Sequence, residues 1–233
     1  MKKMLTKLFK WINDFLGKIP RWVLIIFFAA LPTVLTILMV RFYFHTSLET
    51  FRPIIGNDNV YYWHEILTFN KVGLQGGYYS YLELTPKAGI FHFGPHGPIF
   101  EITYGLISKI TGWGNATFLY IQMVLLGLGF IFFAWRTRLS QSQILLSGLA
   151  IITCWPVLTN TLMTLEENFH QAIGILLAGV LAGVISWQHK LPVWQKICLI
   201  ILFIYIGWVR YTWVLFLIPT LILIFPKPNV ISF

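Results

Sequence analysis

Apolar runs of near membrane-crossing length constrain this chain more than any other feature. Residues 22–44, 116–135, 142–159 and 168–187 each approach the ~20 apolar residues that cross a hydrocarbon core about 30 Å thick. A fifth run, 197–225, has 29 residues and carries Arg210 near its middle. As one helix it would be about 43 Å long, at 1.5 Å per residue. It would also hold a guanidinium near the bilayer centre, at a cost of about 2.5–3.5 kcal/mol. Two short helices turning near Arg210 avoid that cost. The chain then has six crossings. Only 11% of its 233 residues are charged, about half the share of a soluble domain. The predicted fold class is all-α: a polytopic transmembrane helical bundle of about six spans, with a long extracytoplasmic first loop carrying surface helices.

The charges orient the bundle. Residues 1–21 hold six Lys or Arg and one Asp. Leu5, Leu8, Phe9, Ile12, Phe15 and Leu16 recur there at helical spacing, which predicts a basic amphipathic segment on the anionic inner leaflet. Arg136 and Arg138 end the 116–135 run, and Lys190 and Lys196 follow the 168–187 run. The positive-inside rule puts all of these in the cytoplasm. The net charge of +9 is thus a topology signal, and no nucleic-acid motif accompanies it. The organisation is a cytoplasmic segment 1–21, a transmembrane module 22–226 with an extracytoplasmic loop 45–115, and a tail 227–233. Residues 98–110 are too few to cross and read as a helix on the outer surface. Cys154 and Cys198 lie in apolar runs near opposite membrane faces and read as packing residues.

On this topology seven of the eight acids face outward, and only Asp14 faces inward. Acids contribute little to orientation, so their clustering asks for a chemical reason. The stretch 56–104 alone holds Asp58, Glu65, Glu83 and Glu101, with three of the six histidines. Asp58 opens a segment whose Val60, Trp63 and Leu67 recur at helical spacing, with Asp58, Tyr62 and Glu65 on the other face. The plain reading of Asp58 is a helix-start residue. The chemical one is a general base at the membrane edge. Glu166 and Glu167 are predicted in an outer turn, as solvated acids or as a second acidic site. With Asp58 they offer the hard oxygens that a divalent cation such as Mg²⁺ or Mn²⁺ prefers. Arg210 is suited to a carboxylate or a phosphate, either of which a guanidinium binds in bidentate fashion. His92 and His96 are four apart, but Gly94, Pro95, Gly97 and Pro98 forbid a regular helix. They are predicted in a rigid loop that contacts substrate. The loop aromatics, Tyr61, Tyr62, Trp63, Tyr78, Tyr79 and Tyr81, fit an interfacial belt.

The order of these features is familiar. A basic start and one span lead to an early loop Asp in Asn57-Asp58-Asn59-Val60-Tyr61-Tyr62-Trp63. Gly94-Pro95-His96-Gly97-Pro98 and Ile110-Thr111-Gly112 follow. Met163-Thr164-Leu165-Glu166-Glu167 and Trp208-Val209-Arg210-Tyr211-Thr212 come later. This resembles the N-terminal module of the C-superfamily (GT-C) of membrane glycosyltransferases, over most of residues 20–226. The resemblance implies transfer of a sugar from a polyprenyl-phosphate donor on the extracytoplasmic face of a plasma or inner membrane. It implies Asp58 as the catalytic carboxylate, Glu166 or Glu167 as the second acidic site, and Arg210 on the lipid phosphate. Glu65, Tyr62, His92 and His96 would contact substrate. Family members are longer, and their first loop carries an Asp-Asp or Asp-Glu pair where this chain has one Asp. That implies a natural short form, a fragment, or one part of a split enzyme that a membrane-protein partner completes. Two other classes fit the same charges: a transporter or flippase for an anionic or lipid-linked substrate, and a non-catalytic assembly subunit. No nucleotide-binding Gly-rich Lys motif is present, which suits a lipid-linked donor.

Overall fold

The computed structural model describes residues 14–15, 17–51, 57–75, 77–78, 87–88, 97–187 and 191–225. The described chain is helical apart from one two-residue antiparallel pairing, Gly77 with Ala88 and Tyr78 with Lys87. Among the described residues, three helices are long and apolar enough to cross a membrane: Arg21–Tyr43, Thr117–Arg136 and Glu166–Ile185. The chain divides into two compact units.

The first unit comprises Met1–Ile55 and Gly114–Val180. Its first helix, α1, runs Arg21–Leu38 and continues as a π-turn through Met39–Tyr43. Leu24, Phe28 and Ala29 of α1 form one core cluster with Phe130 and Ile144. The Phe28 and Phe130 rings meet edge-on at 6.3 Å. Helix α4, Thr117–Arg136, runs antiparallel to α1. Gly127 packs on the Ala29 carbonyl at one level, and Arg21 Nη2 donates to the Ala134 carbonyl at 2.6 Å at another. Such approach needs a residue with no side chain, because a Cβ on Gly127 would stand 3.1 Å from that oxygen.

Helix α7, Glu166–Trp187, runs parallel to α4. A Cβ on Gly129 would lie 2.8 Å from the Ala172 carbonyl, and one on Gly179 would lie 2.9 Å from Phe133 Cα. Partners that advance together along both helices define a parallel pair. The chain returns between them through two helices, α5 (Gln141–Thr153) and α6 (Trp155–Thr161). Ser140 opens α5 with a reciprocal capping box to Gln143, which satisfies two otherwise orphaned N–H groups. The expected single span over 142–159 is therefore corrected. It breaks at Cys154, whose φ of −74° and ψ of 96° are not helical. Pro156 is the cause: its ring excludes the carbonyl four residues back and it has no N–H to donate.

The second unit comprises Gly56–Trp113 and Leu181–Phe233. Helix α2 spans Asn57–Val72 and tightens into a 3₁₀ turn at Gly73–Gln75. Helix α3 is Ile99–Thr111, one residue from the bounds expected for a short helix over 98–110. The last apolar run divides as the energetics of Arg210 require, into α8 (Val193–Val209) and α9 (Thr212–Ile224). Helix α3 packs on α8, where Thr103 and Tyr205 hydroxyls hydrogen-bond.

Gly127, Gly129 and Gly179 lie close to backbone atoms that cannot rotate away. Gly129→Ala should lower stability by about 1–3 kcal/mol, the usual cost of overpacking. Thermal unfolding in detergent measures it. A wild-type midpoint for Gly129→Ala would mean that α4 and α7 do not approach this closely.

Candidate functional site

The buried face of α2 carries Tyr62, Glu65, Ile66 and Phe69, and that of α3 carries Phe100, Glu101, Tyr104, Gly105 and Ser108. Three contacts set the register between them. The Tyr62 and Phe100 rings meet at 5.5 Å. The Phe69 ring lies where a side chain on residue 105 would stand. Asn70 Nδ2 donates to Ser108 Oγ at 2.8 Å. These partners differ by 38 (62 and 100), 36 (69 and 105) and 38 (70 and 108) positions, so α2 and α3 are parallel. Glu65 and Glu101 also differ by 36, and each lies one turn before the Phe69–Gly105 contact. The two carboxylates are thus level with one another, at 1% and 0% exposure. Phe100 and Tyr104 share the buried face of α3 with Glu101, and their rings are 4.5 Å apart.

The buried stripe of α2 was expected to be its polar, chemically open face. Tyr62 and Glu65 do lie opposite Val60, which is exposed, but they face α3 within the protein. Ile66 and Phe69 share their stripe, and their apolar area outweighs one carboxylate when the helix chooses which side to bury. Asp58 stands in the first turn of α2 and is exposed. The positive end of the helix dipole favours an acid there.

Arg210 occupies the break between α8 and α9 with extended backbone, φ −146° and ψ 114°. Its N–H still donates to Ile206 O at 2.9 Å, and its carbonyl accepts from Trp213 N at 3.1 Å. The main chain at the break therefore keeps hydrogen bonds on both sides while the guanidinium leaves the helical run. Gly97, at φ +77°, sits against the Trp208 carbonyl, 3.0 Å from where its Cβ would be. That conformation suits glycine, and the contact brings the chain entering α3 up to the Arg210 break.

Glu166 and Glu167 belong to the first unit, and they are not in a turn. They form the first turn of α7. Glu166 is buried, and its Oε2 lies 3.6 Å from His170 Nε2 one turn on. The expected outer turn is corrected accordingly, and of the two readings, solvated acids or a second acidic site, the first does not hold for buried Glu166: the dipole at a helix start stabilises acids in that position, so the helix extends to include them. Beside them Gln122 Nε2, from α4, donates to Met163 O at 2.9 Å and Leu165 O at 3.3 Å. Asn168 Nδ2 donates to Thr161 Oγ1 at 2.8 Å. His92 and His96 lie outside the described residues, as do Glu83, Tyr79 and Tyr81.

A divalent cation needs several convergent oxygen ligands. No group of three or more His, Cys, Asp or Glu that could hold a metal occurs among the described residues. Asp58 and the Glu166–Glu167 pair belong to different units. Among the described residues, neither unit by itself supplies the expected Mg²⁺ or Mn²⁺ ligand set. Glu101 and His170 were missed as candidates. The signal for Glu101 was available: Glu101, Tyr104, Gly105 and Ser108 fall on one helical face of small and polar residues in an otherwise apolar run.

No protein family, no curated protein and no solved structure matches this chain.

The parallel register is directly testable. With Cys154 and Cys198 changed to serine, a Glu65→Cys/Glu101→Cys pair should be joined by a short bifunctional thiol reagent. A His64→Cys/Glu101→Cys pair should not, because His64 is exposed. Equal joining of both pairs contradicts the register.

Proposed function

We propose that this chain is a multi-pass membrane glycosyltransferase that takes a sugar from a polyprenyl-phosphate donor on the extracytoplasmic face. What carries the reading is the Arg210 break beside the entry to α3, within the unit that also carries Asp58. A guanidinium next to a helix start is suited to a phosphate, since the unbonded N–H groups and the dipole there also favour an anion. The break would expose Arg210 at the outer face. The six crossings are then α1, α4, α5 with α6, α7, α8 and α9, with both ends of the chain in the cytoplasm. Helices α5, α8 and α9 are shorter than a full crossing.

In the reaction, Asp58 accepts the proton of an acceptor hydroxyl as its oxygen bonds to the anomeric carbon. The bond between that carbon and the phosphate oxygen breaks, and polyprenyl phosphate leaves with the electron pair. Arg210 stabilises the charge that develops on the leaving phosphate. Tyr62 and Glu65, buried against α3, hold the helix that presents Asp58 rather than touch the sugar. His92 and His96 keep their role as substrate contacts in the loop. The donor and membrane lipids are the partners of this reading, and a second membrane protein that completes the enzyme remains part of it.

A second reading has its own support. Buried Glu166 and half-buried His170 lie in a span-length helix, and ionisable groups in such helices often mark transport paths. A non-catalytic assembly subunit is the third.

Proteoliposomes given labelled polyprenyl-phosphate mannose and a membrane extract as acceptor source distinguish these readings. Asp58→Asn should cut transfer about 10²–10⁴-fold with expression intact, the usual worth of a general base. Arg210→Gln should cut it about 10²–10³-fold. Full activity in Asp58→Asn removes Asp58 from the mechanism. Movement of the lipid across sealed vesicles with no new glycoside favours the transporter. For the topology, Lys227→Cys should be labelled only from the cytoplasmic side. Labelling from outside makes 197–225 a single crossing.

A further inference from the structure

Between α4 and α7 of the first unit runs an apolar groove of about 400 Å³. Leu125, Leu128, Phe132 and Trp135 line it from α4, and Ile173 and Leu176 from α7. It exists because Gly129 and Ala172 bring the two backbones together, so the larger side chains on either side stand away from the contact. From Leu125 to Trp135 it follows ten residues of helix, about 15 Å at 1.5 Å per residue. That is half of a hydrocarbon core of about 30 Å, the depth of one leaflet.

The end of the groove at Trp135 is cationic. Arg136 closes α4, and exposed Arg138 follows two residues later. Neither makes an ion pair among the described residues. Arg21 reaches the same end of α4, where Nη2 donates to Ala134 O and the buried Nε has no acceptor among the described residues. Trp135 is 66% exposed, and Trp is a residue favoured between headgroups and acyl chains.

We propose that this groove binds one acyl chain of an anionic glycerophospholipid of the cytoplasmic leaflet, with its phosphate held by Arg136 and Arg138. The groove supplies the length of one leaflet and the arginines supply the charge. A zwitterionic lipid fills the groove but gains less from the cations. The site is separate from the proposed donor site and does not depend on it.

The test titrates phosphatidylglycerol and phosphatidylcholine of identical acyl chains against the purified protein in detergent, and counts retained lipid by native mass spectrometry. Wild type should retain phosphatidylglycerol in preference. Arg136→Gln should weaken it about fivefold, the effect of one cation near a lipid surface, and leave phosphatidylcholine unchanged. Leu128→Trp, which fills the groove, should lower retention of both lipids. Leu146→Trp, on an exposed position of α5 away from the groove, should change neither. Unfolding midpoints of the variants verify that each is folded. Equal retention of the two lipids by wild type overturns the proposal, as does a Leu128→Trp protein that retains phosphatidylglycerol normally. Retention of polyprenyl phosphate alone, or a Leu128→Trp change in oligomeric state with lipid retention intact, assigns the groove to another occupant and overturns it equally.

Discussion

A cation cannot sit at the centre of an apolar helix without a partner or access to water, and Arg210 imposes that constraint on the last 29-residue apolar run. The chain meets it by ending α8 at Val209 and starting α9 at Thr212. Only Arg210 and Tyr211 fall between, so the cost in lost helical hydrogen bonds is small. Arg210 N–H still bonds to Ile206, and Trp213 N–H still bonds to the Arg210 carbonyl. The same break receives the chain entering α3 through Gly97. Helix α3 in turn sets the register of α2, and with it the position of Asp58. The proposed chemistry of the second unit hangs on that sequence of contacts.

Small residues do comparable work in both units. Lipid tails are as apolar as the helices, so burial of apolar area does not by itself drive helices together in a membrane. Close backbone approach does, through dispersion contacts. Gly127 on Ala29 and Gly129 on Ala172 are such approaches, and Gly105 leaves room for the Phe69 ring. Each also fixes a direction: α1 against α4, α7 with α4, α2 with α3. The parallel α2–α3 pair has a chemical consequence. Two carboxylates level with one another in a buried interface repel unless a proton or a cation offsets their charge.

The three long apolar helices were legible because length and hydropathy alone decide them. The break at Arg210 was legible because a single charge makes one continuous helix costly. The break at Cys154 was not. Pro156 causes it, yet Pro32 lies inside α1 and Pro219 inside α9 without ending either helix, so a proline alone does not decide the outcome. The Glu65–Glu101 level was also hidden. It depends on the relative register of two helices joined by a long connection, which no local pattern encodes. Glu166 was assigned to a turn because its neighbours are polar. The helix start that buries it draws on Gln122, some forty residues earlier.

The central claim is that the Arg210 break and the entry to α3 together hold the phosphate of a lipid-linked sugar. Photo-crosslinking with a diazirine-bearing polyprenyl-phosphate sugar, followed by peptide mapping, tests it most directly. The account predicts adducts within 97–111 or 205–213, lost in Arg210→Gln and competed by unlabelled polyprenyl phosphate. Adducts confined to 117–180, or labelling insensitive to Arg210→Gln, would contradict it.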